Sequence, residues 1–308
     1  MPVYNGYLTD IQGVLVGHYT DEINKTGCTV IVVPKGAIVG SDVRGGAPGT
    51  REIALTKPCQ TVQKAHAICL SGGSAYGLAA ASGVMNYLES VDIGLATPAG
   101  IVPIVAGAVI YDLAYGNSKV RPTEQNGYQA AQSASAHECR QGNIGAGTGA
   151  TIGKYLGFEH QQKGGLGSAS VTLANGTIVS ALVVVNAIGD IYNEQGQIIA
   201  GAHKNGKFID TVAAMLAGVS DSAQFGTNTT IGVIATNAKL NKEEVNKVAT
   251  VAHNGYALAI RPVHTSLDGD TIFALSCGEQ QAKLDEVCVA AQIAMQRAII
   301  NAVLAAKE

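Results

Sequence analysis

The run Thr229-Thr230-Ile231-Gly232-Val233-Ile234-Ala235-Thr236 is apolar or small at both odd and even positions. Successive side chains on a strand point to opposite faces, so this run reads as a strand buried on both sides, entered from a polar approach. Such a strand needs a layer above and a layer below it. Further β-branched or alternating runs mark strands at Cys28 to Val33, Ala67 to Leu70, Ala169 to Leu173, Ile178 to Asn186 and Thr271 to Ser276. Helical periodicity marks Ser74 to Leu88, a helix after Asn241 that stops before Pro262, and Asp285 to Ala306. Ser74 is expected to cap the first of these and Asn241, followed by Lys242-Glu243-Glu244, the second. The last is apolar around most of its circumference and reads as a buried layer helix. Strands and helices are interspersed without strict alternation, and turns such as Asn175-Gly176 join neighbouring strands. A pair of mixed sheets covered by helices fits this order better than a doubly wound parallel sheet.

The length of 308 residues suits one large domain spanning 1–308. Charged residues make up only 14% of the chain, which implies extensive burial between layers or between subunits. A net charge of -3 leaves no basic footprint for a phosphate backbone, so nucleic acid is not an expected partner. The six cysteines show no Cys-x-x-Cys spacing, several lie in apolar runs such as Ala67-Ile68-Cys69-Leu70, and they read as buried free thiols of a cytoplasmic protein. The first residues lack a basic segment followed by an apolar one, and no unbroken apolar run reaches about 18 residues, so neither secretion nor a membrane span is expected. Asn193 to Gly226 is polar and Gly-containing apart from Val212 to Val219, and it is the one linker-like stretch.

Several motifs fail on nameable residues. Gly145-Ala146-Gly147-Thr148-Gly149-Ala150 matches a dinucleotide fingerprint, but the polar residues Glu138 to Asn143 before it cannot be the required strand. Gly147 to Lys154 misses the phosphate-loop spacing by one residue, and Tyr155 stands where Ser or Thr is needed. Ser71-Gly72-Gly73-Ser74-Ala75-Tyr76-Gly77 sits between a strand and a helix, but a nucleophile elbow around Ser74 would need Gly at Tyr76. A tight turn is the simpler reading, with the amides of Ser71, Gly72 and Gly73 open to a substrate carboxylate or oxyanion. The histidines lack His-Glu-x-x-His or paired metal spacing, so no metal and no cofactor is expected.

The segment Gly226-Thr227-Asn228-Thr229-Thr230-Ile231-Gly232-Val233-Ile234-Ala235-Thr236-Asn237 resembles the cleavage segment of the self-cleaving L-aminopeptidase/D-esterase and β-aminopeptidase family, which includes the nylon-oligomer hydrolases. The resemblance extends over nearly the whole chain. It is carried also by Thr9 to Gly13, Val16 to Tyr19, Val43 to Glu52, Leu70 to Gly77, Asn143 to Lys154, Lys163 to Ser170, Val183 to Asp190 and Arg261 to Thr265. It implies an α+β fold, a four-layer αββα sandwich, and a precursor that cuts itself between Asn228 and Thr229 into chains 1–228 and 229–308.

By matching position, the resemblance makes Thr229 the nucleophile, Asn186 an oxyanion donor, Lys154 a neighbour that tunes protonation or donates to the oxyanion, and Tyr111 a hydrogen-bond donor in the pocket. Asp268 and Asp270, which flank Gly269, would orient the nucleophile and its freed amine. Some relatives use Ser as nucleophile with a Ser/Glu pair, so their substrate preference does not transfer to this Asp/Asp form. The expected activity is cleavage of N-terminal residues from small peptides, amides or esters, or of linear 6-aminohexanoate oligomers, by a homo-oligomer of processed protomers. The reading from another class is a non-catalytic single chain that binds a small metabolite.

Overall fold

The computed structural model describes residues 3–219 and 227–306. Among these residues one mixed sheet contains nine strands: β1 (Leu15–Asp21), β2 (Thr26–Val43), β3 (Thr50–Arg51), β4 (Lys64–Ser71), β5 (Val105–Val109), β6 (Gly165–Thr172), β7 (Ile178–Asn186), β8 (Thr229–Ala238) and β9 (Thr271–Gln280). Their order is β6-β7-β8-β9-β2-β4-β5-β3, with β1 also on β2. β8 runs parallel to β9 and β4 parallel to β5, whereas the remaining neighbours are antiparallel.

The 18-residue β2 joins two halves of this sheet. Its first part pairs with β1 and β4, and Ile38 to Val43 pair with β9. The register breaks between Val32 and Ala37. Pro34 lies in that interval and has no N–H to give to a ladder, which accounts for the irregularity where the strand passes from one half to the other.

The helices α1 (Ala80–Ser90), α2 (Glu124–Gln132), α3 (Thr211–Leu216), α4 (Lys242–Ala259) and α5 (Leu284–Ala305) complete the layers, except for the short α3. Three apolar clusters separate them. One packs α4 and α5 on Val179, Ala181, Val183 and Val185 of β7; a second lies between the sheet halves and takes Leu182 and Val184 from the opposite face. The third packs α1 and α2 on β2 and β4. The order is helix, sheet, sheet, helix, as expected, with one hydrogen-bonded sheet supplying both middle layers. Strand β8 is buried along nearly its whole length, the reason its sequence shows no alternation.

Local chemistry sets the element ends. Asn241 accepts from the Glu244 amide at 2.9 Å while the Glu244 carboxylate accepts from the Asn241 amide at 2.8 Å, a reciprocal cap. Helix α5 is the one helix among the described residues long and apolar enough to cross a bilayer, and 67% of its most apolar window is buried inside the protein. It is a layer helix, as its composition suggests.

Three expectations need correction. Ser74 is not a helix cap: Gly73 holds that position, and Ser74, at φ 53°, begins a 3-10 turn, Ser74–Ala79, before α1. Asn193 to Gly226 is not a plain linker, because it contains strands at Ile198–Ala200, His203–Lys204 and Lys207–Phe208 and the helix α3; residues 220–226 lie outside the described part. The six cysteines are unpaired, but Cys59 and Cys139 are exposed, since each sits in a polar loop rather than an apolar run.

Candidate active site

Register places the central pair. In the β7–β8 ladder Asn186, the last residue of β7, lies directly opposite Thr229, the first residue of β8, so their side chains share a face. Thr229 is 4% exposed, and its hydroxyl donates to the Asn228 carbonyl, the bond at which cleavage is expected. The Gly269 amide donates to that same carbonyl at 2.9 Å.

Asn186 is fully buried and completely engaged. Its Oδ1 accepts from the Thr151 amide at 3.0 Å and Lys154 Nζ at 2.9 Å. Its Nδ2 donates to the Tyr111 carbonyl at 3.1 Å and the Thr227 carbonyl at 3.4 Å. Lys154 Nζ also donates to the carbonyls of Asn186 and Thr227, each at 3.1 Å. The side-chain donors of this group therefore converge on the carbonyl one residue before the expected cut.

The acidic pair is fixed from several directions. Asp268 Oδ2 accepts from the amide of Thr265 at 2.9 Å and from its hydroxyl at 2.6 Å. Asp270 Oδ1 accepts from the Thr230 amide at 2.7 Å, and its Oδ2 accepts from the His264 amide at 3.1 Å and lies 2.8 Å from His264 Nδ1. The backbone beneath them is clamped by the 43–49 loop: the Ala47 amide donates to the Asp268 carbonyl at 2.8 Å and the Arg44 amide to the Asp270 carbonyl at 3.0 Å. A β-carbon at Gly45 would sit 2.3 Å from both the Asp268 carbonyl oxygen and the Asp270 nitrogen, so only glycine permits this contact.

Burial sets the charges. It pulls the Lys154 ammonium down to about 7, opposed by the carboxylates of Asp268 and Asp112. Burial, and then the charge of Asp270, push the Asp268 carboxyl up to about 6, against the Thr265 hydrogen bonds and Lys154. Both groups lie close enough to neutrality to change protonation state near pH 7, which is the tuning a proton-transfer site needs.

Thr229, Asn186, Lys154, Asp268 and Asp270 are thus brought together. Tyr111 joins them through its main-chain carbonyl on Asn186, and its ring is half-buried. In the Ser71–Gly73 turn the amides of Gly72 and Gly73 are not open as expected: Gly72 donates to the Gly27 carbonyl at 2.9 Å and Gly73 to Asp112 Oδ1 at 2.7 Å. The φ of 84° at Gly73 turns its amide toward that buried carboxylate. The turn supports the strand end from which Tyr111 reaches Asn186, through the Ser74 amide on the Ile110 carbonyl at 2.9 Å. Sequence reasoning assigned no part to Thr265, His264 or the Gly269 amide. Thr265, three residues before Asp268, carries the spacing of a hydroxyl that caps a turn, whereas a backbone amide leaves no trace in a sequence.

The scaffold defines the class first. Over 100% of this chain and 88% of the other, it superimposes at a TM-score of 0.75 and 19% identity on the L-aminopeptidase D-Ala-esterase/amidase of Ochrobactrum anthropi, described as a variant of the Ntn hydrolase fold. It matches a Burkholderia sp. β-aminopeptidase at a TM-score of 0.73 and 20% identity, over 99% of this chain and 89% of that one. At those identities the likeness is one of fold. The chain itself belongs to peptidase family S58, whose model matches residues 6–308, and it is a hydrolase. It is 42% identical over 315 residues to an uncharacterized aminopeptidase of Mycobacterium tuberculosis (strain ATCC 25618 / H37Rv), covering 97% of this chain and 89% of the relative. It is also 35% identical over 277 residues to a 6-aminohexanoate-oligomer endohydrolase of Kocuria sp. (strain KY2), covering 88% and 74%.

Proposed function

We propose that the chain cuts itself between Asn228 and Thr229, and that Thr229, as the first residue of 229–308, is the nucleophile of an amidohydrolase. The observation that carries this reading is the buried Thr229 hydroxyl hydrogen-bonded to the carbonyl of the residue before it, opposite Asn186 with its Lys154 partner and beside the Asp268–Asp270 segment, whose Gly269 amide holds the same carbonyl. The hydroxyl attacks the Asn228 carbonyl carbon, the acyl group passes from nitrogen to oxygen, and water hydrolyses the ester. The products are a carboxylate at Asn228 and a free amine at Thr229. That amine, with an ordinary pKa of about 7.7–8.0, then takes the hydroxyl proton during attack on a substrate.

Cleavage frees the Thr227 carbonyl to leave Lys154 Nζ and Asn186 Nδ2, which then face an incoming substrate carbonyl. On this reading the Tyr111 side chain donates a hydrogen bond to the bound substrate. The substrates are small peptides, amides or esters with a free N-terminus, or linear 6-aminohexanoate oligomers, in keeping with the names of the relatives. The low charge suits a homo-oligomer of processed protomers, and the free thiols suit a cytoplasmic setting.

The test is purification followed by intact-mass measurement and side-by-side assay on aminoacyl anilides, β-peptides and 6-aminohexanoate oligomers. Fragments of 1–228 and 229–308 with turnover on one class support the reading. A hydrolytically active chain that remains 308 residues long overturns it.

A further inference from the structure

The cut and the later turnover act on carbonyls in different surroundings, and the donors are divided accordingly. Lys154 Nζ and Asn186 Nδ2 address the Thr227 carbonyl, at 3.1 and 3.4 Å. The Asn228 carbonyl, which would become the oxyanion during self-cleavage, receives the Gly269 amide at 2.9 Å and the Thr229 hydroxyl that is to attack it. Resting on the self-cleavage reading, we infer that the Gly269 main-chain N–H is the oxyanion donor of the self-processing step.

The amide is held where a donor of this kind has to be. Residue 268 bridges to Asn228 as a short parallel pair, so the 268–270 segment tracks the cleavage segment. On one side of Gly269 the Asp268 carbonyl is pinned by the Ala47 amide and its carboxylate by Thr265. On the other side the Asp270 carboxylate spans Thr230 and His264. With both neighbours fixed, the N–H cannot follow a retreating oxygen or swing away, and a preorganised donor costs no reorganisation when charge develops.

Glycine at 269 also makes room for the nucleophile. A β-carbon there would stand 2.7 Å from Thr229 Oγ1 and 2.8 Å from the Ala47 carbonyl oxygen. The spacing Asp-Gly-Asp therefore holds two carboxylates apart by one residue that offers its amide and nothing else.

In the step itself, Thr229 Oγ1 forms a bond to the Asn228 carbonyl carbon and gives up its proton. The carbonyl electron pair moves onto the oxygen held by Gly269, and its return expels the Thr229 nitrogen, which takes a proton. Water then adds to the ester and releases the Asn228 carboxylate, restoring the Thr229 hydroxyl.

The test replaces the amide and leaves every side chain in place. Full-length chain is made by cell-free translation with glycolic acid at position 269, so that an ester replaces the N–H, and the appearance of fragment 229–308 is followed by denaturing electrophoresis. A second chain carries lactic acid at Ala47, which removes a hydrogen bond to the same loop without touching the Asn228 carbonyl. The 269 ester is expected to cut about 10² or more times slower than wild type, the effect of losing one oxyanion donor, while the 47 ester stays within about tenfold. Equal rates for wild type and the 269 ester overturn the assignment, as does equal slowing by both esters, which marks a purely structural role. A wild-type chain that does not cut under the same conditions removes the self-cleavage reading itself and this assignment with it.

Discussion

A threonine hydroxyl attacks an amide at neutral pH only when a nearby group accepts its proton and another holds the oxygen that becomes charged. On the proposed reading those groups come to Thr229 from three separate segments, near 154, 186 and 268–270, none of them an obvious motif taken singly. Replacing Thr229 with alanine removes the attacking atom, so Thr229→Ala is expected to run as one 308-residue band and to hydrolyse nothing. Wild-type turnover in that variant would exclude Thr229 as nucleophile. Asn186 has both strand register and hydrogen bonds fixing its amide, and Asn186→Ala is expected to lower kcat by about 10² on the preferred substrate. Unchanged turnover would make Asn186 a purely structural strand-end residue. At this scale the side chains Thr229, Asn186, Lys154, Asp268 and Asp270 were legible through the family resemblance. Their partners were not, because hydrogen bonds such as Thr265 to Asp268 or Asn186 to the Tyr111 carbonyl follow from packing rather than residue type.

Elements were legible where a local signal was sufficient. Strand β7 matches its expected span residue for residue, since β-branched runs on a pleated surface specify both ends. The start of α4 was readable from Asn241 and Glu244, and Asn241→Ala is expected to cost about 1 kcal/mol in chemical denaturation. A loss near zero would show that the Glu244 half of the cap suffices. Helix contacts are another matter. A β-carbon at Gly83 in α1 would lie 1.7 Å from the Glu124 carbonyl oxygen of α2, and one at Gly127 in α2 would lie 1.9 Å from the Ala80 carbonyl oxygen. The two helices touch backbone to backbone. Gly83→Ala would raise intrinsic helix propensity by about 1 kcal/mol, yet it is expected to destabilise the protein by about 1–3 kcal/mol, because the helices must separate. Increased stability of that variant would refute the close packing. The Gly-rich composition was visible in the chain, whereas which glycines are irreplaceable depends on what each one faces.

The whole molecule decides how much charge the interior tolerates. Lys154 titrates near 7 in the fold and at 10.5 when exposed, so between those values the unfolded chain binds more protons. Its contribution to stability is therefore lowest below pH 7, rises with pH, and is complete above 10.5. Lys163, also buried and also lowered to about 7, acts in the same sense. In the uncut Thr229→Ala chain, urea denaturation between pH 7 and 8 is expected to show stability increasing with pH; nearer pH 9 the thiols of Cys28, Cys69, Cys277 and Cys288, raised by burial, act in the opposite sense. Adding Lys154→Met should reduce that slope by up to about 1.4 kcal/mol per pH unit. An unaltered slope would mean that Lys154 stays charged. Read from the chain alone, the layered α+β architecture, most element positions and the residues that gather at the site were accessible, because periodicity, caps and matched segments are local properties. Only the tertiary structure settled that the Gly72 and Gly73 amides are already taken and that Lys154 and Asn186 reach Thr227 while Gly269 reaches Asn228. Those assignments are differences of one residue between strands far apart in sequence. They are set by sheet register and by the burial that forces every polar atom to find a partner.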